Sequence, residues 1–203
     1  MAASVVLISR FPLDPRAVAD MRSELIDSAR MRYLIDSNKL ELLQLRAYDD
    51  VTAFAETSAD LVDDWRRFAP FTTGDVRREL VTLVDEPKPV EAPLPGTDFI
   101  QLRHIEVPPL RMASYHQWRE QTIFQIVREN NPVEAFLAYH SLVSGQPGVM
   151  FIAGFSGDPA EYQAVFDSER YREIVRQAGD NYIVGGSDAL YTRLYLRPQL
   201  LAD

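Results

Sequence analysis

One pattern is written twice in this chain. Pro12-Leu13, Arg22 and Ile26 recur as Pro109-Leu110, Arg119 and Ile123, every pair 97 positions apart. Met21 matches Trp118 in the same alignment. Each block follows an apolar, strand-like run and precedes the same order of elements. A two-fold internal repeat predicts a pseudo-dimer, two copies of one small unit packed within one chain. Its 203 residues are enough for two halves of roughly 100 residues that share a core.

The elements of the first half can be read in order. Ser4 to Phe11 is a buried strand rich in Val, Leu and Ile. Asp14 is placed to cap a helix that has Pro15 at its first position and runs to about Ala29. Tyr33 to Ile35 and Leu40 to Tyr48 read as a hairpin around Ser37-Asn38-Lys39. A helical region after Asp49-Asp50 carries Phe54, Leu61, Trp65 and Phe68, and Arg78 to Val84 alternates as a closing strand. The order is β-α-β-β-α-β, the ferredoxin-like unit. Asp85 to Gly96, with Pro87, Pro89, Pro93 and Pro95, reads as an extended linker. The second half repeats the order: a strand from Asp98 to Val107, then a helix from Arg111 to about Asn130. A hairpin of Ala135 to Val143 and Val149 to Phe155 follows, then a helix from Asp158-Pro159 to about Ala178 and a strand from Ala189 to Arg197. The expected division is residues 1–86, a linker at 87–96, and 97–203 with the functional pocket. The expected fold class is α+β, two tandem ferredoxin-like units packed as a pseudo-dimer.

Composition excludes several classes of function. The net charge of −9 and the lack of a Lys/Arg cluster argue against nucleic-acid and anionic-membrane partners. With no cysteine there is no disulfide, thiolate metal site or Cys nucleophile. Only Lys39 and Lys88 are lysines, an arginine bias that fits a GC-rich bacterial genome. The start lacks a basic leader and no long apolar run occurs, so the expectation is a cytoplasmic protein. No H-E-x-x-H, G-x-G-x-x-G, P-loop or G-x-S-x-G pattern is present, and the three histidines lack metal-ligand spacing, so no metal is expected.

The tandem units resemble the dimeric α/β-barrel superfamily. Gly154-Phe155-Ser156-Gly157-Asp158-Pro159, followed by Phe166-Asp167-Ser168-Glu169-Arg170-Tyr171-Arg172 with its S-x-x-Y spacing, is similar to members of that group. The group includes antibiotic-biosynthesis monooxygenases, polyketide cyclases of similar shape and chlorite dismutase-like haem proteins. The resemblance implies a four-stranded sheet with helices on one face and a partner sheet on the other, the two units forming a pseudo-dimeric α/β barrel. It also implies a menu of chemistries on small molecules.

Candidate site residues concentrate in the second half, which holds all three histidines. His104 lies on a strand whose faces read Ile100, Leu102, His104, Glu106 and Phe99, Gln101, Arg103, Ile105. A histidine there is either a general base, since imidazole titrates near pH 6.5, or a hydrogen-bonded core residue. His140, beside Tyr139 on the hairpin, is the second candidate base. Arg119 falls inside the apolar stripe of Met112, Tyr115, Ile123 and Ile126, with His116 and Trp118 at its edges. A guanidinium so placed needs a carboxylate, carbonyls or a ligand anion; Glu106 and Glu134 are the expected partners. Arg22 occupies the equivalent place in the first half, which favours a structural ion pair. Tyr191, Arg193 and Tyr195 alternate on the last strand and fit either an aromatic substrate cavity or a solvated edge. The expected substrate contacts are thus Tyr115, His116, Trp118, Arg119, Tyr139, Tyr191 and Arg193.

Three functions are consistent with these features. The first is a small-molecule enzyme of secondary metabolism without a cofactor, a monooxygenase, cyclase or isomerase acting on an aromatic or polyketide-like substrate. The second is a haem protein with His116 as axial ligand. The third is a non-catalytic ligand-binding module, because fold does not dictate function. All three leave room for a homodimer.

Overall fold

The computed structural model describes residues 1–36, 38 and 40–201. Eight antiparallel strands close into one barrel in the order β1-β3-β2-β8-β5-β7-β6-β4. The first half supplies β1 (Val5–Pro12), β2 (Met31–Asp36), β3 (Glu41–Tyr48) and β4 (Arg77–Lys88). The second supplies β5 (Phe99–Ile105), β6 (Ala135–Val143), β7 (Val149–Phe155) and β8 (Tyr191–Leu196). Within each half the first and third strands are central, as the ferredoxin-like unit requires. The two sheets therefore join edge to edge and face one another across the barrel. One seam is short, Ile35↔Leu196 and Asp36↔Tyr195 between β2 and β8. The other runs from Leu80↔Val143 to Lys88↔Phe136 between β4 and β6, with register shifts that bend the sheet. Closure removes the exposed strand edges that a four-stranded unit would otherwise leave.

Alternation then sorts the side chains. Val6, Ile8, Leu43, Leu45, Ile100, Leu102, Leu137 and Ile152 fill the barrel interior. Outside it, Phe11, Tyr33, Leu42 and Phe68 build the first-half core beneath the helices, and Phe136, Phe151, Phe155 and Tyr162 the second. The central strands β1, β3, β5 and β7 are covered on both faces, which is why their runs are almost continuously apolar.

The helices are more broken than their sequence pattern suggests. The first-half helix expected to reach Ala29 is short: α1 spans Val18–Met21, flanked by 3-10 turns at Pro15–Ala17 and Arg22–Glu24. Asp27 turns the chain into β2 by accepting from Tyr33 N at 2.8 Å and Arg32 Nε at 2.9 Å. Ile26, one of the repeated residues, is exposed as a result. Next come α2 (Val51–Glu56), capped by Asp50, and α3 (Asp60–Phe68). The helix expected over 111–130 divides at Thr122 into α4 (Met112–Gln121) and α5 (Ile123–Glu129). That expected from Asp158 to Ala178 divides at Asp167-Ser168 into α6 (Pro159–Phe166) and α7 (Glu169–Asn181). Asp158 and Ser168 cap these two helices through Ala160 N and Tyr171 N. Of the expected 37–39 turn, Ser37 and Lys39 lie outside the described residues.

β4 runs on to Lys88, so part of the expected linker is strand. The rest seals one end of the barrel. Leu94 is 2% exposed and packs in the interior, Ala3 N donates to Pro93 O at 3.0 Å, and Arg32 donates to Thr97 O at 2.8 Å and to Pro95 O. A Cβ on Gly154 would stand 2.6 Å from Thr97 Oγ1, so the linker can lie this close only over a glycine.

Candidate functional site

Two polar residues on the helix-facing side of β5, Gln101 and Arg103, interrupt an apolar wall. Burying a guanidinium is costly unless its donors find acceptors. Arg103, 5% exposed, donates through Nε to Gln101 Oε1 at 2.7 Å and through NH1 to the Tyr171 hydroxyl. Tyr162 donates to the same Gln101 Oε1 at 3.0 Å. The guanidinium carbon sits 3.8 Å from the centroid of Phe166, a close cation–π contact. Tyr171 reaches Arg103 because Ser168, its S-x-x-Y partner in sequence, starts α7 at the right place.

Beside this network lies an enclosed cavity of about 30 Å³, lined by Arg103, Tyr115, Phe136, Phe151, Tyr171 and Ile174 among others. That is room for one or two waters, and the walls are mostly apolar. Arg103, Tyr171, Val175 and Leu190 also line an outer cleft of about 380 Å³ with Gln101, Thr192 and Arg172. The Arg103–Tyr171 pair thus stands between an outer cleft and a small, mostly apolar chamber. Tyr115 is fully buried on the far wall, and its hydroxyl has no hydrogen-bond partner of ordinary geometry among the described residues. Burial pushes its phenol well above the ordinary tyrosine range, with the Arg119 charge opposing. Burial does the same to Tyr162. Both phenols stay neutral donors at any physiological pH.

Arg119 lies behind Tyr115, 1% exposed, with its guanidinium carbon 5.4 Å from the Tyr115 ring centroid. It is paired with a carboxylate, as the stripe pattern requires, but the partner is Asp85 of β4. Glu134 instead binds Ser156 N at 2.6 Å, and Glu106 is exposed. Barrel closure explains the difference, since β4 of the first half runs alongside β6 and under α4. His116 is half-buried close by. Burial and then the Arg119 charge lower its pKa, Asp85 opposes them, and His140 adds a smaller lowering. His140, on the helix-facing side of β6, is half-buried with Nδ1 3.1 Å from Ser141 O. Trp118 packs on Tyr115 and Tyr182, with centroids 6.0 and 5.1 Å away.

The remaining expected residues point the other way, into the barrel. His104 is in register with Tyr191, and its Nε2 lies 3.2 Å from Pro147 O in the β6–β7 turn. Arg193 NH1 pairs with Glu41 at 2.9 Å, and Tyr195 donates to the same carboxylate at 2.5 Å. Tyr139 is fully buried in the interior, its hydroxyl 3.4 Å from Ala3 O. The expected set is therefore split by the sheet. Of its members only Tyr115 lines the cavity, while Arg119, His116, His140 and Trp118 gather behind and beside it. Arg103, Tyr171, Gln101 and Tyr162 were missed as site residues. A signal existed: Gln101 and Arg103 share one face of a strand with Phe99 and Ile105.

In the first half the corresponding space between sheet and helix is filled by charge. Asp64 of α3 accepts from Arg46 NH2 at 2.5 Å and Gln44 Nε2 at 3.1 Å, and Gln44 also reaches Tyr33 at 3.2 Å.

No protein-family model matches the sequence, and no curated protein does either. Solved structures do match in fold. One, from Fusobacterium nucleatum and only provisionally assigned as a monooxygenase, is 12% identical with a TM-score of 0.65, covering 97% of this chain and 93% of that one. An anthrone oxidase-like protein is 11% identical with a TM-score of 0.62, covering 95% and 90%. The heme-degrading enzyme of Listeria monocytogenes is 9% identical with a TM-score of 0.56, covering 96% and 99%. The chain has the fold of the dimeric α/β-barrel proteins, two ferredoxin-like units closed into one barrel, as do structures related to antibiotic-biosynthesis monooxygenases. Among the described residues no helix is long and apolar enough to cross a membrane.

Proposed function

We propose that this chain is a small-molecule enzyme that binds a flat aromatic molecule carrying an acidic enol or phenol, and oxygenates or isomerises it without a cofactor. The observation that carries this reading is the second-half cavity: apolar walls, one buried guanidinium at its entrance and one buried phenol opposite, beside Arg119. A buried cation beside an apolar chamber favours the ionised form of a weakly acidic ligand. Arg103 would hold the developing oxyanion and Tyr115 would donate to a second oxygen, while the aromatic walls hold the ring. The cavity wall carries no carboxylate or histidine, so the substrate proton leaves through the outer cleft to water. In an oxygenation the ionised substrate gives four electrons to dissolved dioxygen: a ring CH2 becomes C=O with one oxygen atom, and the other leaves as water with the two protons lost. His104 and His140 do not line this cavity, so neither serves as the base there; water in the outer cleft takes the proton, and Arg103 stabilises the anion left behind.

A ring-sized ligand does not fit in about 30 Å³. Entry requires the Tyr171 side chain and α7 to move toward the outer cleft. A haem on His116 fits less well, because that imidazole faces Arg119, Asp85 and His140 and is not on the cavity wall. The anthrone oxidase-like neighbour makes anthrones and naphthols the first substrates to test. Oxygen uptake by the purified protein with such a panel is the direct assay. Arg103→Met should lower turnover by about 10²-fold, the usual effect of losing one oxyanion donor. Turnover unaffected by Arg103→Met, or a Soret band that tracks activity, would overturn the reading.

A further inference from the structure

The unsealed end of the barrel carries a second feature, unrelated to the cavity. Arg10 of β1 and Arg77 of β4 are cross-strand partners, two like charges directly opposite on the interior side of the sheet. Such pairs are unfavourable unless an anion lies between or beside them. Glu79 serves Arg10 alone, accepting from its NH2 at 2.5 Å. Arg10 is 6% exposed, its Nε has no partner, and its guanidinium carbon lies 5.4 Å from the Tyr191 ring centroid. Arg77 is exposed and makes no ion pair among the described residues. Arg78, next to Arg77 in sequence, lies on the helix-facing pleat, with NH2 held by Leu61 O at 2.8 Å. Two more carboxylates at this end are engaged: Glu41 is shared by Arg193 and Tyr195, and Asp36 accepts from the backbone N–H groups of Leu40 and Glu41.

Between these groups and the β6–β7 turn at Ser144, Gly145 and Gln146 is a cleft of about 490 Å³. Arg10 and Arg77 face one glutamate there, in a chain whose net charge is −9. A local cationic surplus against an acidic background selects anions, and guanidinium forks match the geometry of phosphate oxygens. The cleft is several times larger than a free phosphate ion, so the anion should carry an organic group.

We infer that the open barrel mouth binds the dianionic phosphate of a small phosphate monoester, held between Arg77 and the free edge of Arg10, with the organic group against the β6–β7 turn. The site is separate from the Arg103 cavity, which lies on the other face of the sheet.

The test is calorimetric titration of the full chain with phenyl phosphate and with inorganic phosphate at low salt. Phenyl phosphate should saturate one site and bind more tightly than inorganic phosphate. Arg77→Glu, a change at an exposed position that leaves the core intact, should weaken it by at least about tenfold, as expected for loss of a charged hydrogen bond. Arg103→Met should leave it unchanged, which separates this site from the proposed enzyme cavity. No saturation by millimolar phenyl phosphate would overturn the inference. So would equal affinity for inorganic phosphate, or an Arg77→Glu variant that binds as well as the parent.

Discussion

Asp85→Ala offers the sharpest test of how the halves are held together. The substitution removes the only carboxylate paired with Arg119 among the described residues; the Arg119 side chain is 1% exposed. Arg119 cannot swing into water from that position, and its Nε already lacks a partner. Leaving a buried charge uncompensated typically costs about 3–5 kcal/mol. Asp85 is itself 42% exposed, so solvent screens part of the pair and the lower end applies, about 3 kcal/mol. For a chain of this size that is a fall in Tm of about 6–12 °C. Arg119→Met removes the charge together with its desolvation cost and keeps the stem's packing on Tyr115 and Phe124, so it should cost no more than about 1.5 kcal/mol. The double variant should then resemble Arg119→Met and recover most of the loss caused by Asp85→Ala. Urea unfolding of all four proteins closes the cycle. If Asp85→Ala were as stable as the parent, or if Arg119→Met failed to rescue it, the pair would not be the buried lock described above.

Other outcomes follow from the same structure. Gly154→Ala should destabilise by about 1–3 kcal/mol, because its Cβ would meet Thr97 Oγ1 at 2.6 Å and Pro95 Cβ at 3.2 Å; thermal melts would show it, and no loss would mean that the linker does not pack there. Phe68→Ala, fully buried against Phe11 and Tyr33, should cost about 3–5 kcal/mol in urea unfolding, and a loss under 1 kcal/mol would count against that core. Stability should also fall as pH rises above about 10, where unfolded tyrosines ionise. Burial raises the folded pKa of Tyr115, Tyr139, Tyr162 and Tyr195, so the folded state keeps protons that the unfolded state releases. Melts between pH 8 and 11.5 should show the decline, less steep in Tyr115→Phe; a flat profile would contradict the burial of these phenols.

Much of this architecture was legible in the sequence. Apolar runs, continuous or alternating, marked all eight strands, and two of them, Ala135–Val143 and Val149–Phe155, end where their pattern ends. Aspartate followed by proline announced the starts of the turn at Pro15 and of α6, because a carboxylate cap and a fixed φ act within a few residues. The order of elements carried the two-unit fold, and the apolar stripe placed Arg119 inside. These are local facts, decided by neighbours along the chain.

The rest depended on which strand edges meet. Asp85 reaches Arg119, in place of Glu106 or Glu134, only because β4 of the first half runs beside β6 of the second. Closure also decides that Tyr191, Arg193 and His104 face the barrel, whereas Arg103 on the opposite pleat of the same strand faces the helices and meets Tyr171. Alternation says that neighbouring residues part company, but not which side becomes a cavity and which a packed interior. That choice follows from the curvature of the closed sheet and the seats of α4 and α7, contacts between residues far apart in the chain that no local pattern encodes.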